Sequence, residues 1–224
     1  MSFDQPMPPF NASDPSASFL STSCLDFLMI ELVPMTYRVA HELDASSPES
    51  SLVETNGNSG GGAAAGGDVS SVVATATGTA GSRRLDEDEE RDAVFFRLEG
   101  LGYRVGLGLV ERFSRDRPRF NDTLDAIKFV CKDLWMLVFK KQVDNLKTNH
   151  RGVYVLTDNA FRPLSRMSTD PGGRAVLRAQ PFLWFPCGVV RGALAAMGIA
   201  ATVQAETSEL PGAVFQIKTT PLKQ

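Results

Sequence analysis

The stretch Phe182-Leu-Trp-Phe-Pro-Cys-Gly-Val-Val-Arg-Gly-Ala-Leu-Ala-Ala-Met-Gly-Ile-Ala-Ala-Thr-Val203 is the most apolar in the chain. Its reading decides between a membrane-spanning fold and a globular one. Arg191 stands near its centre, where insertion into a bilayer costs roughly 2.5 to 3.5 kcal/mol, and Pro186, Gly188, Gly192 and Gly198 interrupt it. The stretch therefore reads as a buried core helix over about 186–197. A guanidinium on such a helix must be paired or must reach water, so Arg191 is expected to fix the helix against a carboxylate or backbone carbonyls.

Working outward, residues 201–206 and 213–218 read as two strands separated by the turn residues 208–212. Upstream, the β-branched and aromatic run 152–157, the pair Asp158-Asn159 and then 160–164 read as a hairpin with a two-residue turn. Pro163 makes its second strand an edge or ends it there. Farther upstream the period changes to 3.6. Leu25, Leu28, Leu32, Met35, Val39 and Leu43 step by three or four, so 23–43 reads as a helix begun by a Ser23/Asp26 capping box and kinked at Pro34 into two pieces.

The acidic run 86–90 opens a second helix, with Phe95, Leu98, Leu101, Val105, Leu109 and Phe113 on one face and Pro118 beyond its end. Gly100, Gly102, Gly106 and Gly108 each cost this helix about 1 kcal/mol relative to alanine. Close approach by another helix would compensate. Asn121 is expected to cap a third helix over 122–141 that buries Ile127, Val130, Cys131, Leu134, Trp135 and Val138. The order helices, hairpin, helix, hairpin predicts an α+β fold with helices on one side of a four-stranded antiparallel sheet.

The 224 residues carry a net charge of −3 with 43% hydrophobic residues, enough apolar content for one core. Such a balance leaves no electrostatic footprint for nucleic acid. Cys24, Cys131 and Cys187 are far apart and odd in number, which argues against a disulfide framework or a zinc site and for a reducing compartment. The first ten residues lack the pattern of a secretory leader. In 46–81, 21 of 36 residues are Gly, Ala or Ser, and 1–22 is rich in Ser and Pro, so both are expected to be disordered, as an insertion and a tail around a single domain formed by 23–45 and 82–220. The two excluded segments hold five acidic residues and no basic ones, so the remainder of the chain, 23–45 and 82–224, carries 23 basic against 21 acidic side chains.

No catalytic constellation emerges. Neither Gly-x-Gly pair completes a dinucleotide fingerprint or follows a strand, and helix packing is the simpler reading. His41 and His150 are the only histidines, and His150 reads as a turn residue before a strand. No catalytic residue, cofactor or metal ligand is assigned. Competing with a pure interaction role is a small-ligand or lipid-binding module with an apolar cavity beside 184–196; an enzyme has the least support.

Five segments in order carry a resemblance: Leu98-Glu-Gly-Leu-Gly-Tyr-Arg-Val-Gly106, Lys128-Phe-Val-Cys-Lys-Asp-Leu-Trp135, Thr148-Asn-His-Arg-Gly152, Tyr154-Val-Leu-Thr-Asp-Asn159 and Cys187-Gly-Val-Val-Arg-Gly-Ala-Leu194. Together they resemble the small subunits of the transport protein particle (TRAPP), most closely the sixth-subunit type, over about 27–218 outside the insertion. The resemblance implies the same α+β fold and a cytoplasmic, non-catalytic subunit of a complex that tethers vesicles between endoplasmic reticulum and Golgi. The complex, rather than this chain alone, is then the exchange factor for a Rab-type GTPase, and association with Golgi and endoplasmic reticulum membranes is peripheral, through the complex only. It further implies a heterodimer with the acylated TRAPP small subunit and contacts with other TRAPP subunits. The first two helices would form the heterodimer face, placing Leu28, Leu32, Val39, Leu101, Val105 and Leu109 at or near the contact, with Gly102, Gly106 and Arg191 in structural roles. The acylated sibling has its modified cysteine before the third helix, where this chain reads Arg117-Pro-Arg-Phe120, so no acyl chain is expected here.

Overall fold

A computed structural model describes residues 21–45, 86–115, 117–149, 151–168 and 174–220. Most of the tail 1–22, the whole insertion 46–81 and His150 lie outside the described residues. Helix α1 (Thr22–Ala45) is followed by α2 (Glu87–Phe113), then by α3 (Thr123–Phe129), which passes through a π-helical turn (Val130–Leu134) into α4 (Trp135–Phe139). Strands β1 (Asn145–Thr148) and β2 (Val153–Asp158) come next. Then follow a 3₁₀ turn (Arg162–Leu164), α5 (Arg174–Ala179), a second 3₁₀ turn (Gln180–Leu183), α6 (Trp184–Ala196), β3 (Ala201–Glu206) and β4 (Ala213–Thr219). The four strands form one antiparallel sheet in the order β1-β2-β4-β3. No helix among the described residues is long and apolar enough to cross a membrane.

Strand alternation puts one face of the sheet into the core. The rows Leu146, Leu156, Phe215, Ala205 and Thr148, Tyr154, Ile217, Val203 run across it in register. Tyr154, Leu156, Phe215 and Ile217 are buried there, while Lys147, Gln204 and Lys218 of the opposite face are exposed. Trp135 of α4 meets Phe215 edge-on at 5.0 Å between ring centroids, with Phe139 and Phe161 completing the aromatic cluster. Its indole Nε1 donates to Asp158 Oδ2 at 2.8 Å. The other carboxylate oxygen accepts from Lys141 Nζ at 2.6 Å and from Ala160 N at 3.0 Å, so this buried charge is fully partnered.

That arrangement corrects the expected 152–164 hairpin. Asp158 ends β2 by binding the backbone just beyond it, Phe161 turns into the core, and Pro163 sits in the first turn of the 3₁₀ segment. The true partner of β2 on this side is β1, joined through a turn in which Asn149 Oδ1 accepts from Arg151 N and Val153 N and Gly152 takes φ +84°.

The helix ends also differ from expectation. Asp122, not Asn121, caps α3, its Oδ1 accepting from Asp125 N at 2.6 Å. Asp26 does not serve a capping box; it pairs with Arg162 through two hydrogen bonds of 2.8 and 3.0 Å and with Arg166 at 3.3 Å, tying α1 to the segment after β2. The Arg162 guanidinium holds the Asp26 carboxyl below its ordinary value, so the tie is present above the usual carboxylate range and is lost only as pH falls beneath it. Pro34 lies within one continuous α1 rather than dividing it, on the exposed side where water can serve the carbonyl it leaves without a helical donor. Asp86 caps α2, and Glu87, Asp88, Glu89 and Glu90 occupy its first turn, where the helix dipole favours negative charge.

Candidate interaction face of the first two helices

The position of α2 is set by glycines. Its buried line is Val94, Leu98, Gly102, Gly106 and Val110, a strict four-residue spacing, rather than the expected line through Leu101, Val105 and Leu109. Gly102 and Gly106 meet α6, which brings its own Gly188 and Gly192 at the same spacing. A Cβ on Gly102 would run into the Phe185 carbonyl, and one on Gly106 into the Val189 carbonyl. Reciprocally, a Cβ on Gly188 would strike the Glu99 carbonyl and one on Gly192 the Tyr103 carbonyl. Two backbones therefore lie in direct contact, as small residues four apart permit.

Arg191 locks the same crossing. Its guanidinium forms a two-pronged pair with Glu99, Nη2 donating to Oε2 at 2.7 Å and Nε to Oε1, and lies 4.4 Å from the Tyr103 ring centroid. Each partner comes from the α2 turn that the glycines approach.

Against α2 packs α1, which is apolar on two sides. Its inner side, Leu32, Val33, Thr36 and Ala40, is buried. The outer side presents Leu28 (58% exposed), Met35, Val39 and Leu43 at helical spacing. On α2, Phe96 is 70% exposed and Val105 is also exposed. Between the helices lies an open groove of about 420 Å³ lined by Met35, Thr36, Val39, Phe96, Arg97, Gly100, Leu101 and Arg104. His41 Nε2 meets Glu90 Oε1 at 2.7 Å and links the end of α1 to the start of α2.

The six residues assigned to a partner contact thus separate. Leu28, Val39 and Val105 are exposed, Leu101 and Leu109 are half-buried against the core, and Leu32, 6% exposed, belongs to the chain's own core. Leu32 is a correction: it lies one turn from Leu28, and apolar periodicity alone does not tell the inner side from the outer. Phe96 went unassigned because it falls off the apolar line of its helix. A large aromatic placed beside Arg97 on the otherwise polar side was the available signal.

Other candidate chemistry is sparse. Cys24 is exposed and without a disulfide, whereas burial pushes the thiols of Cys131 and Cys187 up to about 12, so neither is a ready nucleophile. Among the described residues no three His, Cys, Asp or Glu side chains gather as a metal site would require. The two concavities described lie along α1, and neither is lined by residues of 184–196.

Comparison with known proteins supplies the relationship. The family model described as "Transport protein particle (TRAPP) component" matches residues 25–220. The trafficking protein particle complex subunit 6b of Danio rerio is 51% identical over 130 residues, 58% of this chain and 82% of that protein. Subunit 6A of Homo sapiens is 48% identical over 120 residues, covering 54% of this chain and 74% of that one. A crystal structure of a trafficking protein particle complex subunit 3 from Naegleria fowleri, covalently bound to palmitic acid, covers 59% of this chain and 84% of its own at TM-score 0.49 and 16% identity. A family match across most of the folded chain, together with about half identity to these sixth subunits, shows that the chain belongs to the TRAPP component family and within it to the sixth-subunit type.

Proposed function

We propose that this chain is a non-catalytic subunit of the TRAPP complex, which tethers vesicles in transport between endoplasmic reticulum and Golgi and acts as exchange factor for a Rab GTPase. Its part is to dimerise with the acylated TRAPP small subunit through the outer side of α1 and α2, and to join the other subunits as that pair. Exchange then belongs to the assembly, and the chain is cytoplasmic, held at Golgi and endoplasmic reticulum membranes through its partners. The observation that carries the reading is the second apolar side of α1, where Leu28, Met35, Val39 and Leu43 are exposed and Met35 and Val39 share a groove with the exposed Phe96 of α2. Exposed apolar side chains in one contiguous patch mark a surface that a partner covers.

Co-expression tests this. The full chain with the acylated subunit is expected to elute as one stable 1:1 heterodimer, and alone to self-associate or aggregate. A monodisperse monomer that ignores the acylated subunit in size-exclusion chromatography would overturn the reading.

The tail 1–22 and the insertion 46–81 stand, in this proposal, outside the single domain formed by 23–45 and 82–220. The His41–Glu90 pair brings the two helices flanking the insertion together, so a linker of about eight residues can replace 46–81. Shortening the loop lowers its closure entropy by roughly 1 kcal/mol. The deletion is expected to raise the melting temperature by a few degrees and leave heterodimer formation unchanged, as measured by thermal unfolding of the purified pair. Loss of folding on deletion would assign the insertion a structural role.

A further inference from the structure

Among the described residues, Arg97 and Arg104 are the only charged ones lining the α1/α2 groove. They are seven positions apart on α2, hence on one side of it about two turns from each other. Gly100 lies between them, and a Cβ built there meets no atom within 4 Å, so the floor between the two guanidiniums is open. Met35, Val39, Phe96 and Leu101 supply apolar walls.

The two cations differ from several arginines elsewhere in the fold. Arg38 pairs with Glu31, Arg117 with Asp133, Arg162 and Arg166 with Asp26, and Arg191 with Glu99. Among the described residues, no carboxylate is paired with Arg97 or Arg104. A partner that covers Met35, Val39 and Phe96 must also cover Arg97, which is already half-buried. Covering an unpaired guanidinium is unfavourable unless the incoming surface brings a carboxylate, and the planar fork of arginine suits that group in two-pronged geometry.

We infer that the groove is an acceptor for an acidic, apolar-centred segment of the partner subunit: one apolar side chain seats over Gly100, flanked by carboxylates that pair with Arg97 and Arg104. The inference rests on the proposed dimer face and adds the chemistry of the occupant. Charge complementarity selects the partner, and the apolar walls supply the contact area. The continuity of the groove with the exposed apolar side of α1 favours a protein occupant over a lipid headgroup, which would use the guanidiniums and leave the walls uncovered.

The test is competitive co-expression, in which the acylated subunit is limiting and two full-length copies of this chain, one wild-type and one variant with different tags, compete for it. R97E/R104E is expected to be under-represented in the heterodimer by at least about tenfold, R97K/R104K by less, and wild-type association is expected to weaken as salt rises. Gly100→Leu, which fills the floor, is expected to lose ground while circular dichroism and thermal unfolding show its fold intact. Equal incorporation of R97E/R104E overturns the inference. If M35D/V39D is excluded in the same assay, the docking face itself stands; if it too is incorporated equally, the docking reading falls. Binding of the wild-type heterodimer, but not the R97E/R104E heterodimer, to vesicles containing 30% phosphatidylserine (about one anionic lipid in three), with incorporation unchanged, would assign the guanidiniums to headgroup phosphates and likewise overturn it.

Discussion

Gly102→Ala is expected to destabilise the protein by about 3 kcal/mol or more, whereas Gly108→Ala, six residues along the same helix, is expected to stabilise it by roughly 0.5 to 1 kcal/mol. The substitution is identical and the sign is opposite, because the new methyl meets different surroundings. At Gly108 it meets nothing within 4 Å and adds only helix propensity. At Gly102 it collides with the Phe185 carbonyl and stands 2.9 Å from Val189 N. Those are backbone atoms of α6, so no rotamer change gives relief; the helices must separate. Separation would also open the Gly188 and Gly192 contacts and loosen the Arg191–Glu99 pair, which bridge the same crossing. Gly106→Ala should behave like Gly102→Ala, with its methyl 2.8 Å from Ala193 N in addition to the carbonyl clash. Urea or thermal unfolding of the heterodimer measures this, and for a domain of this size 3 kcal/mol lowers the melting temperature by roughly 6 to 12 °C. A Gly102→Ala protein as stable as wild type would show that the seam is not closed by backbone contact.

The same glycines explain why the face of α2 was only half legible. Hydrophobic periodicity weights Leu101, Val105 and Leu109 and gives glycine no weight, yet the buried line runs through Gly102 and Gly106. Helix propensity was the better guide, since four glycines in one helix demand compensation from packing. Arg191 was legible for a related reason: a lone cation in an apolar helix needs a carboxylate, although which carboxylate depends on the crossing with α2 and not on sequence distance. Strands β3 and β4 were readable because each alternates between clear turn residues. Strand β1, Asn145–Thr148, was not, having one apolar side chain in four residues and drawing its pairing from β2. The segment 160–164 looked extended because nothing local reveals that the Asp158 carboxylate, held by Trp135 and Lys141, turns the chain inward. For the interaction face the limit is different in kind. Leu28 and Leu32 are four residues apart and alike in chemistry, and only tertiary packing decides that one faces solvent and the other the core.

That division supports the second large effect. The double substitution M35D/V39D is expected to leave the fold intact and to weaken association with the acylated subunit by at least about 100-fold. Both side chains are exposed in the isolated chain, so an aspartate at either position remains hydrated and costs the fold little. On docking, two carboxylates would be buried against the acidic, apolar-centred segment inferred for the partner and would compete with it for Arg97 and Arg104, at a cost of several kcal/mol for the pair. Each 1.4 kcal/mol is a factor of ten, so even a few kcal/mol removes a measurable complex. Leu32→Asp provides the contrast: the residue is 6% exposed within the core, and its substitution is expected to unfold the chain rather than release the partner. Thermal unfolding of each variant, set beside its recovery with the acylated subunit after co-expression, separates the two behaviours. A folded M35D/V39D protein that still forms the heterodimer at wild-type yield would place the docking surface elsewhere than the outer side of α1.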